Sequence, residues 1–398
     1  MTDGGLREVM NNKVVLTISA AELLRLLGRS GVWVFIPIFF LKEGYADYME
    51  IGVMFMVSAF ATIPTSLFGG NLVDKVGRRR IALIVPPAIS LLFLLMFLDI
   101  YYKFNILLSI AAFVLFQPIA SLQSIVDNVI ITDSTLESER INAFSVTRIG
   151  ANIGFSLGPA IAGFALAYNY AILAIIPMVA EMFGFTLYYK YVRYIEPPSQ
   201  GTKKLTSFPR GDFRFLIISI LISLAWFSVG PWAYVLPQFL SNVDMISSST
   251  VGLLIASNGV AVVLLQVPVN RALVRMNDLS RVALGLVVYA ITFAIFGFVR
   301  NTLLLLGDIV VLTLGENIIS PASNAIIGKI APESKRGEYY GGFNLVNSFL
   351  GPFSPLAYEF LLAFFHNSPI ILWGIIGLIC TSLAIVLFSF GIKLVPKR

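Results

Sequence analysis

The chain has 398 residues, of which 57% are hydrophobic and only 13% are charged, and its mean hydropathy is +0.85. Soluble domains are about half apolar and about a quarter charged, so this composition excludes that class and indicates a polytopic membrane protein. The formal net charge of +6 does not indicate nucleic-acid binding, because the basic residues fall mostly in short segments between apolar runs.

Twelve apolar runs follow one another, each about long enough to cross the hydrocarbon core as a helix. A polar, proline-rich segment, residues 196–211, divides them into two sets of six. The pattern predicts an all-α integral membrane protein with two six-helix bundles, residues 1–195 and 212–398, joined by a cytoplasmic linker. The predicted spans are 13–41, 50–73, 81–101, 105–131, 142–167, 170–191, 213–240, 250–272, 281–299, 302–327, 339–365 and 369–392.

The two halves repeat one another, which predicts pseudo-symmetric bundles. The string R-I-A-L at 80–83 returns as R-V-A-L at 281–284, and Ile51-Gly52 returns as Val251-Gly252. If both termini are cytoplasmic, all but six of the 28 lysines and arginines fall in cytoplasmic segments. The positive-inside rule therefore predicts a multi-pass protein of the plasma membrane with both termini inside.

No enzyme site is legible in the sequence. There is no phosphate-binding loop with G-K-[ST] and no cluster of His, Cys and Glu at metal-ligand spacing. The single cysteine, Cys380, lies in an apolar run and is expected to be a buried small residue. We therefore expect no catalytic residues, no cofactor and no metal.

The segment 70–80, G-N-L-V-D-K-V-G-R-R-R, is a charged stretch between the second and third apolar runs. Glycine permits a sharp turn, an aspartate can face the positive end of a helix, and arginines suit lipid headgroups and acidic partners. We predict a membrane-surface loop that acts as a conformational latch, with Arg78 pairing Asp127 or Asp133. The predicted latch residues are Gly70, Asp74, Gly77, Arg78, Arg79, Arg80, Asp127 and Asp133.

The fifth run carries glycines at four-residue spacing followed by a proline. This spacing forms a smooth helix face, and the proline removes a backbone hydrogen bond where the helix can bend. Tight helix packing would explain the pattern, and a transport motif is the alternative. The residues are Gly150, Gly154, Gly158, Pro159 and Gly163.

These two patterns resemble motifs of the major facilitator superfamily of secondary transporters. G-x-x-x-D-x-x-G-R-R-R is similar to its cytoplasmic loop between helices 2 and 3. Helix 5 resembles its antiporter motif G-x-x-x-G-P-x-x-G-G, with Ala162 in place of one glycine. The resemblance implies a cavity lined by helices 1, 4, 7 and 10, and it favours export as in drug/proton antiporters. Helix 4 lacks the arginine of many proton-coupled members, so proton coupling rests on the resemblance.

Charged side chains inside apolar runs indicate an ion or substrate path, because each costs about 2.5 kcal/mol or more to insert. Glu22 and Arg25 are spaced for a helical ion pair, with Arg29 one turn further on and nearer the midplane, where no local partner is evident. Glu316 lies about midway through helix 10 and is the leading acid. The predicted proton- or substrate-binding residues are Glu22, Arg25, Arg29, Arg148, Asn152 and Glu316.

The leading functional hypothesis is proton-coupled export of small amphipathic or drug-like compounds by alternating access. The first alternative is proton-coupled uptake of a small polar or anionic solute, for which Arg25, Arg29 and Arg148 would supply anion binding. The second is a transport-inactive receptor or scaffold on the same fold. The expected partners are a small-molecule substrate, protons and membrane lipids, with no nucleic acid, and the chain is expected to act as a monomer.

The predicted orientation can be tested by labelling single cysteines in a Cys380→Ser background. Cysteines at Asn105 and Asp244 should react with an impermeant maleimide only from outside, and a cysteine at Ser199 only from inside, because the positive-inside rule places them there. Reversed labelling would contradict the predicted topology.

Overall fold

The computed structural model describes residues 8–192, 208–209, 211–332 and 335–394, and within these residues all regular structure is helical. Most of the predicted linker, residues 196–207 and 210, lies outside the described residues. The first six membrane helices follow the predicted runs to within a few residues at most ends. They are α1 Lys13–Lys42, α2 Tyr48–Val76, α3 Arg78–Tyr102, α4 Ile106–Asp133, α5 Arg140–Ala165 and α6 Ile172–Tyr191.

Two of the remaining predicted spans are broken helices. The seventh breaks at Gly230-Pro231 and the eleventh at Gly351-Pro352, as expected because proline has no backbone N–H and clashes with the preceding turn. The elements are α7a Phe213–Val229, α7b Pro231–Gln238, a π-helix Phe239–Val243, α8 Ser248–Ala272, α9 Asp278–Phe296, α10 Thr302–Ile330, α11a Arg336–Leu350, α11b Phe353–Phe365 and α12 Pro369–Leu394.

Eleven spans among the described residues are long and apolar enough to cross a membrane. The exception is α5, which has a similar length but carries Arg140, Asn142, Arg148 and Asn152. Its polar side chains lower its hydropathy without preventing the helix. The chain is therefore an all-α, multi-pass membrane protein.

Local sequence fixes several helix starts. The side-chain oxygens of Asn12, Asn105, Asn277 and Asn301 accept backbone N–H groups of the first turns of α1, α4, α9 and α10. At the start of α2, Asp47 and Glu50 each accept the other's backbone N–H, at 2.8 and 2.9 Å. This reciprocal pair is a capping box, which satisfies two N–H groups that the helix cannot.

The predicted loop at 70–80 is almost entirely helical. α2 continues to Val76 and α3 begins at Arg78, so Gly70 and Asp74 lie in the helix and only Gly77 separates the two elements. Gly77 has a φ of +100°, a conformation that other residues rarely adopt. The predicted surface loop is thus reduced to Gly77, because the polar residues of 70–76 continue the exposed face of α2.

The described residues form two compact units. The first contains residues up to 45, 57–200 and 246–256, and the second contains 46–56, 201–245 and 257 onward. The first turns of α2 therefore group with α7 and α9–α12, and the first turns of α8 group with α1 and α3–α6. In the second unit, Trp373 is fully buried against the rings of Phe239, Phe293 and Phe296, at centroid distances of 5.3 to 5.6 Å.

The core of the first unit is built around α1, which packs most closely on α5 and α6. The glycine stripe of α5 makes the approach possible. A Cβ at Gly154 would overlap the carbonyl oxygen of Leu23, and one at Gly150 or Gly158 would overlap backbone of α1 in the same way. Small residues let helix backbones pack closely in a membrane, where packing supplies much of the association free energy.

We expect Gly154→Ala to lower the thermal unfolding temperature, since the added methyl must push α5 away from α1. Overpacking of this kind costs about 1–3 kcal/mol. Gly374→Ala in α12 is the matched control, because a Cβ there meets nothing within 4 Å. Thermal unfolding of both purified proteins measures the difference, and equal melting temperatures would refute close α1–α5 packing at Gly154.

Candidate functional site

A fully buried guanidinium lies at the centre of α1. Arg25 Nη2 donates to Glu22 Oε2 at 2.5 Å and to Asp127 Oδ2 at 2.6 Å. Its Nη1 donates to the Tyr188 hydroxyl at 3.2 Å, and the guanidinium lies 5.4 Å from the centroid of that ring. Helices α1, α4 and α6 thus meet at one charged group.

Asp127 is held on both oxygens. Besides the Arg25 contact on Oδ2, its Oδ1 accepts from Gln123 Nε2 at 2.9 Å and from the Tyr188 hydroxyl. The carboxylate is 4% exposed. Asp127 is therefore committed to α1 and α6, and of the two predicted partners of Arg78 the structure pairs it with Asp133.

Arg29, one turn beyond Arg25, donates from Nε to Glu181 Oε1 of α6 at 2.6 Å. Glu181 is fully buried, and Arg29 is 9% exposed. The sequence showed no partner for Arg29 because the two residues are 152 positions apart. The expectation of an unpaired cation near the midplane was wrong.

These side chains form one group, which we call the arginine cluster: Glu22, Arg25, Arg29, Asp127 and Glu181, with Gln123 and Tyr188 as neutral partners. Three carboxyl groups face two guanidinium groups, so full ionisation leaves one net negative charge. An uncompensated charge away from water is strongly disfavoured, and one bound proton removes it. Glu22 has a side chain 23% exposed and is the most accessible acid of the three.

The two predicted polar residues of α5, Arg148 and Asn152, do not belong to the arginine cluster. Arg148 is exposed and Asn152 is half-buried. Among the described residues, no hydrogen bond or ion pair joins Arg148 to the arginine cluster. The α5 motif instead contacts backbone, since a Cβ at Gly163 would meet Ser248 and one at Gly252 would meet Pro159.

Glu316 belongs to the second compact unit, where it is half-buried on α10. Its Oε2 accepts from Asn258 Nδ2 of α8 at 2.9 Å, and the same amide nitrogen lies 3.0 Å from Thr313 Oγ1. Asn258 is 3% exposed and was not predicted, because an asparagine in an apolar run gives no sequence signal of its partner. Glu316 is thus a half-buried acid that the Asn258 amide orients.

The residues of the predicted latch lie at the junction of α2 and α3. Arg78 Nη1 is 2.8 Å from Asp133 Oδ2 and its Nη2 is 3.7 Å from Asp74 Oδ1. Arg79 donates to the carbonyl oxygen of Val192 at 2.9 Å, whereas Arg80 is exposed. The contacts tie α3 to the ends of α4 and α6, and the latch function stays a prediction.

Two buried acids outside these groups differ in their polar contacts. Asp99, which is 2% exposed, accepts from the backbone N–H of Asn105 and Ser109 and from the Ser109 hydroxyl. Asp308 is 4% exposed, and neither of its oxygens has a hydrogen-bond partner among the described residues.

Two aspartates beside the second unit's helix ends have shifted pKa values. Burial raises the pKa of Asp244 to about 6, although Arg300, 2.8 Å away, opposes the shift. Burial would also raise the pKa of Asp212, but hydrogen bonds from the Tyr339 hydroxyl and backbone N–H groups of α7a outweigh it and lower that pKa. Asp212 therefore links α7a to α11a as a carboxylate.

Solved structures of known transporters share this fold. A nucleoside transporter, NupG, superposes with a TM-score of 0.79 at 13% identity, over 95% of this chain and 99% of that chain. A peptide transporter, POT, superposes with a TM-score of 0.78 at 15% identity, over 96% and 94%. At such low identity the likeness establishes the architecture alone.

Curated relatives cover most of the sequence. An uncharacterized MFS-type transporter, YqjV, of Bacillus subtilis (strain 168) is 22% identical over 333 residues, 80% of this chain and 79% of that protein. A Na(+), Li(+), K(+)/H(+) antiporter of Planococcus maritimus is 23% identical over 354 residues, 79% of this chain and 81% of that protein. The family model described as Major Facilitator Superfamily matches residues 18–244 and 215–397. The chain is therefore a member of the major facilitator superfamily of membrane transporters.

Proposed function

We propose that the protein is a proton-coupled antiporter that exports small amphipathic compounds by alternating access. The observation that carries the proposal is the charge of the arginine cluster. With three carboxyl groups against two guanidinium groups, the cluster is neutral only when it holds one proton. A low-dielectric cluster whose net charge changes between zero and −1 with one proton is suited to proton coupling.

The hydrogen bonds within the cluster support this role. Tyr188 and Gln123 donate to Asp127, while Glu22 is partly exposed. Glu22 and Asp127 both accept from Arg25. A proton bound at either acid therefore changes the net charge around the same guanidinium group. The buried arginines remain charged throughout, because a guanidinium does not lose its proton in proteins.

Glu316 is the proposed site where substrate and proton compete. Its half-buried carboxylate lies on α10, and Asn258 fixes one oxygen. A cationic substrate would pair with the carboxylate, and a proton would neutralise it. The superfamily motif in α5 and a relative named as an antiporter support export over uptake. We place the protein in the plasma membrane with both termini cytoplasmic, as the distribution of basic residues indicates.

The uptake alternative has less support from the geometry. Arg25 and Arg29 are already paired with carboxylates, so an anionic solute would have to displace these partners, and only Arg148 is exposed. A transport-inactive scaffold is also less favoured. Buried ion pairs contribute little net stability, so a scaffold has no need of five charged groups in one unit.

A second candidate function is exchange of an alkali cation for protons. The observation that favours it is the antiporter relative, which is named for Na(+), Li(+), K(+) and H(+). Both candidates use an acid that alternates between a proton and a cation. They differ in the cation, which the following assay varies.

The proposal is tested with purified protein in liposomes that carry an imposed pH gradient and a pH-sensitive dye. A lipophilic organic cation should dissipate the gradient if the leading proposal holds, whereas Na⁺, K⁺ or Li⁺ should do so under the second. Asp127→Asn should reduce either flux to near background, because the cluster is then neutral without a proton. Glu137→Gln, at an exposed acid outside the membrane helices, is the control and should transport normally.

Two outcomes contradict this account. One is full gradient-driven transport by Asp127→Asn at unchanged melting temperature. The other is a proton flux that appears only with organic acids or sugars, which would restore the uptake hypothesis.

A separate prediction concerns Glu316→Gln. The amide mimics a protonated acid, so the variant should lose its response to an imposed pH gradient yet retain exchange of labelled for unlabelled substrate without one. Both rates are measured in the same liposomes, with Glu137→Gln as control. If the variant responds fully to the gradient, Glu316 is structural and the proton site lies with Glu22 and Asp127.

A further inference from the structure

A fully buried carboxyl group lies in the other compact unit, far along the chain from the arginine cluster. Glu359 of α11b is fully buried, and its Oε1 accepts from Gln238 Nε2 of α7b at 2.5 Å. Among the described residues, its Oε2 and the neighbouring Gln238 Oε1 have no hydrogen-bond partner. Two acceptor oxygens without donors are a costly arrangement, and a proton on the carboxyl supplies a donor.

In the part of the chain that the structure describes, no Lys or Arg pairs with this acid. The titratable groups that face it are Tyr48 of α2 and Tyr234 of α7b, and the His366 ring at the end of α11b lies 5.9 Å from the Tyr48 ring. Of the helices packed on α11b, α7b has no charged residue and α12 has none in 369–389. α7a carries Arg214 alone, in its first turn, and the acids of the α2 start, Asp47 and Glu50, are exposed. An ionised Glu359 would thus be buried without compensation, which is strongly disfavoured.

The first turns of α2 cover this carboxyl group. A Cβ at Gly52 would lie 3.0 Å from both Glu359 Cβ and Leu356 Cα, so the α2 backbone packs directly against α11b at Glu359. Nearby, the Phe55 and Tyr234 rings are 5.8 Å apart, and the Tyr234 hydroxyl is hydrogen-bonded to Ser354 Oγ. These contacts all lie within the second compact unit. They close the α2 side of the buried acid.

The helices that carry the acid and its amide partner are the two broken ones. α7b begins after Gly230 and leads into a π-helix, and α11b begins after Gly351-Pro352. Breaks and π-turns are places where a helix can bend, so both segments can shift without unfolding their long halves.

We propose that Glu359 is a second proton-binding site, and that its bound proton holds the start of α2 against α7b and α11b. Loss of the proton to water leaves an anion that needs hydration, so the contacts of residues 46–56 separate. The inference goes beyond the proposed function and depends on neither Glu316 nor the arginine cluster. It identifies a proton-controlled closure at the end of the molecule predicted to face outward.

Distance measurements between two spin labels test this closure directly, because they report the separation of two helix ends. Labels at Ala46→Cys and Asn367→Cys, in a Cys380→Ser background, report on the start of α2 and the end of α11b in lipid nanodiscs. We expect the short-distance population to dominate at low pH and to give way to longer distances as pH rises. No change with pH in the parent protein would overturn the proposal.

Three variants define the group responsible. Glu359→Gln should keep the short distance at every pH, because the amide cannot ionise. Gln238→Leu removes the donor that stabilises the carboxylate, so the midpoint of the transition should move up by about 1 pH unit or more. Glu50→Gln, an exposed acid on the same turns of α2, should behave as the parent. A parent-like transition in Glu359→Gln, or an unmoved midpoint in Gln238→Leu, would assign the response to another group.

The same sample distinguishes a proton from an alkali cation. At fixed pH, replacing choline chloride with NaCl, KCl or LiCl should leave the distances unchanged. A shift that follows the cation and not the pH would overturn the proton assignment. This experiment is independent of the liposome assay, because the spin-label distances can be measured without any transported substrate. Failure of the proposed function would therefore not affect its result.

Discussion

Two guanidinium groups buried on α1 set the condition that organises the first compact unit. A charge away from water must be matched at hydrogen-bond distance, and α1 alone supplies only Glu22. The other carboxylates come from α4 and α6, through Asp127 and Glu181. The register of three helices is therefore determined by one set of charges. α5 approaches α1 along the glycine stripe, where backbone packing replaces charge pairing.

Much of this architecture was predictable from local sequence. The apolar runs gave the helices, and asparagine caps and prolines explain several ends and both breaks. The segment at 70–80 was misjudged, because polar residues on one exposed face of a helix resemble a loop in a linear reading. Only Gly77, with its positive φ, has the local conformation that the glycine pattern indicated.

The sequence identified the charged residues of the candidate sites but not the partners with which they are grouped. Arg29, Glu181, Glu316 and Glu359 each stand out in an apolar run. The pairings between them are not legible, because Asn258 and Gln238 are neutral residues and Glu181 lies 152 positions from Arg29. Composition fixes how many charges must be compensated, whereas helix packing alone decides which group compensates which. For this reason the sequence left Arg29 without a partner.

The capping box at the start of α2 has a consequence for how that segment moves. Asp47 and Glu50 close the first turn with bonds of their own, which do not involve any other helix. If residues 46–56 separate from their surroundings, their first helical turn therefore stays formed, and the segment moves as a rigid helix. A rigid helix either packs against its neighbours or does not, with few stable intermediate positions. This end of the molecule is therefore suited to a two-state response and poorly suited to a graded one.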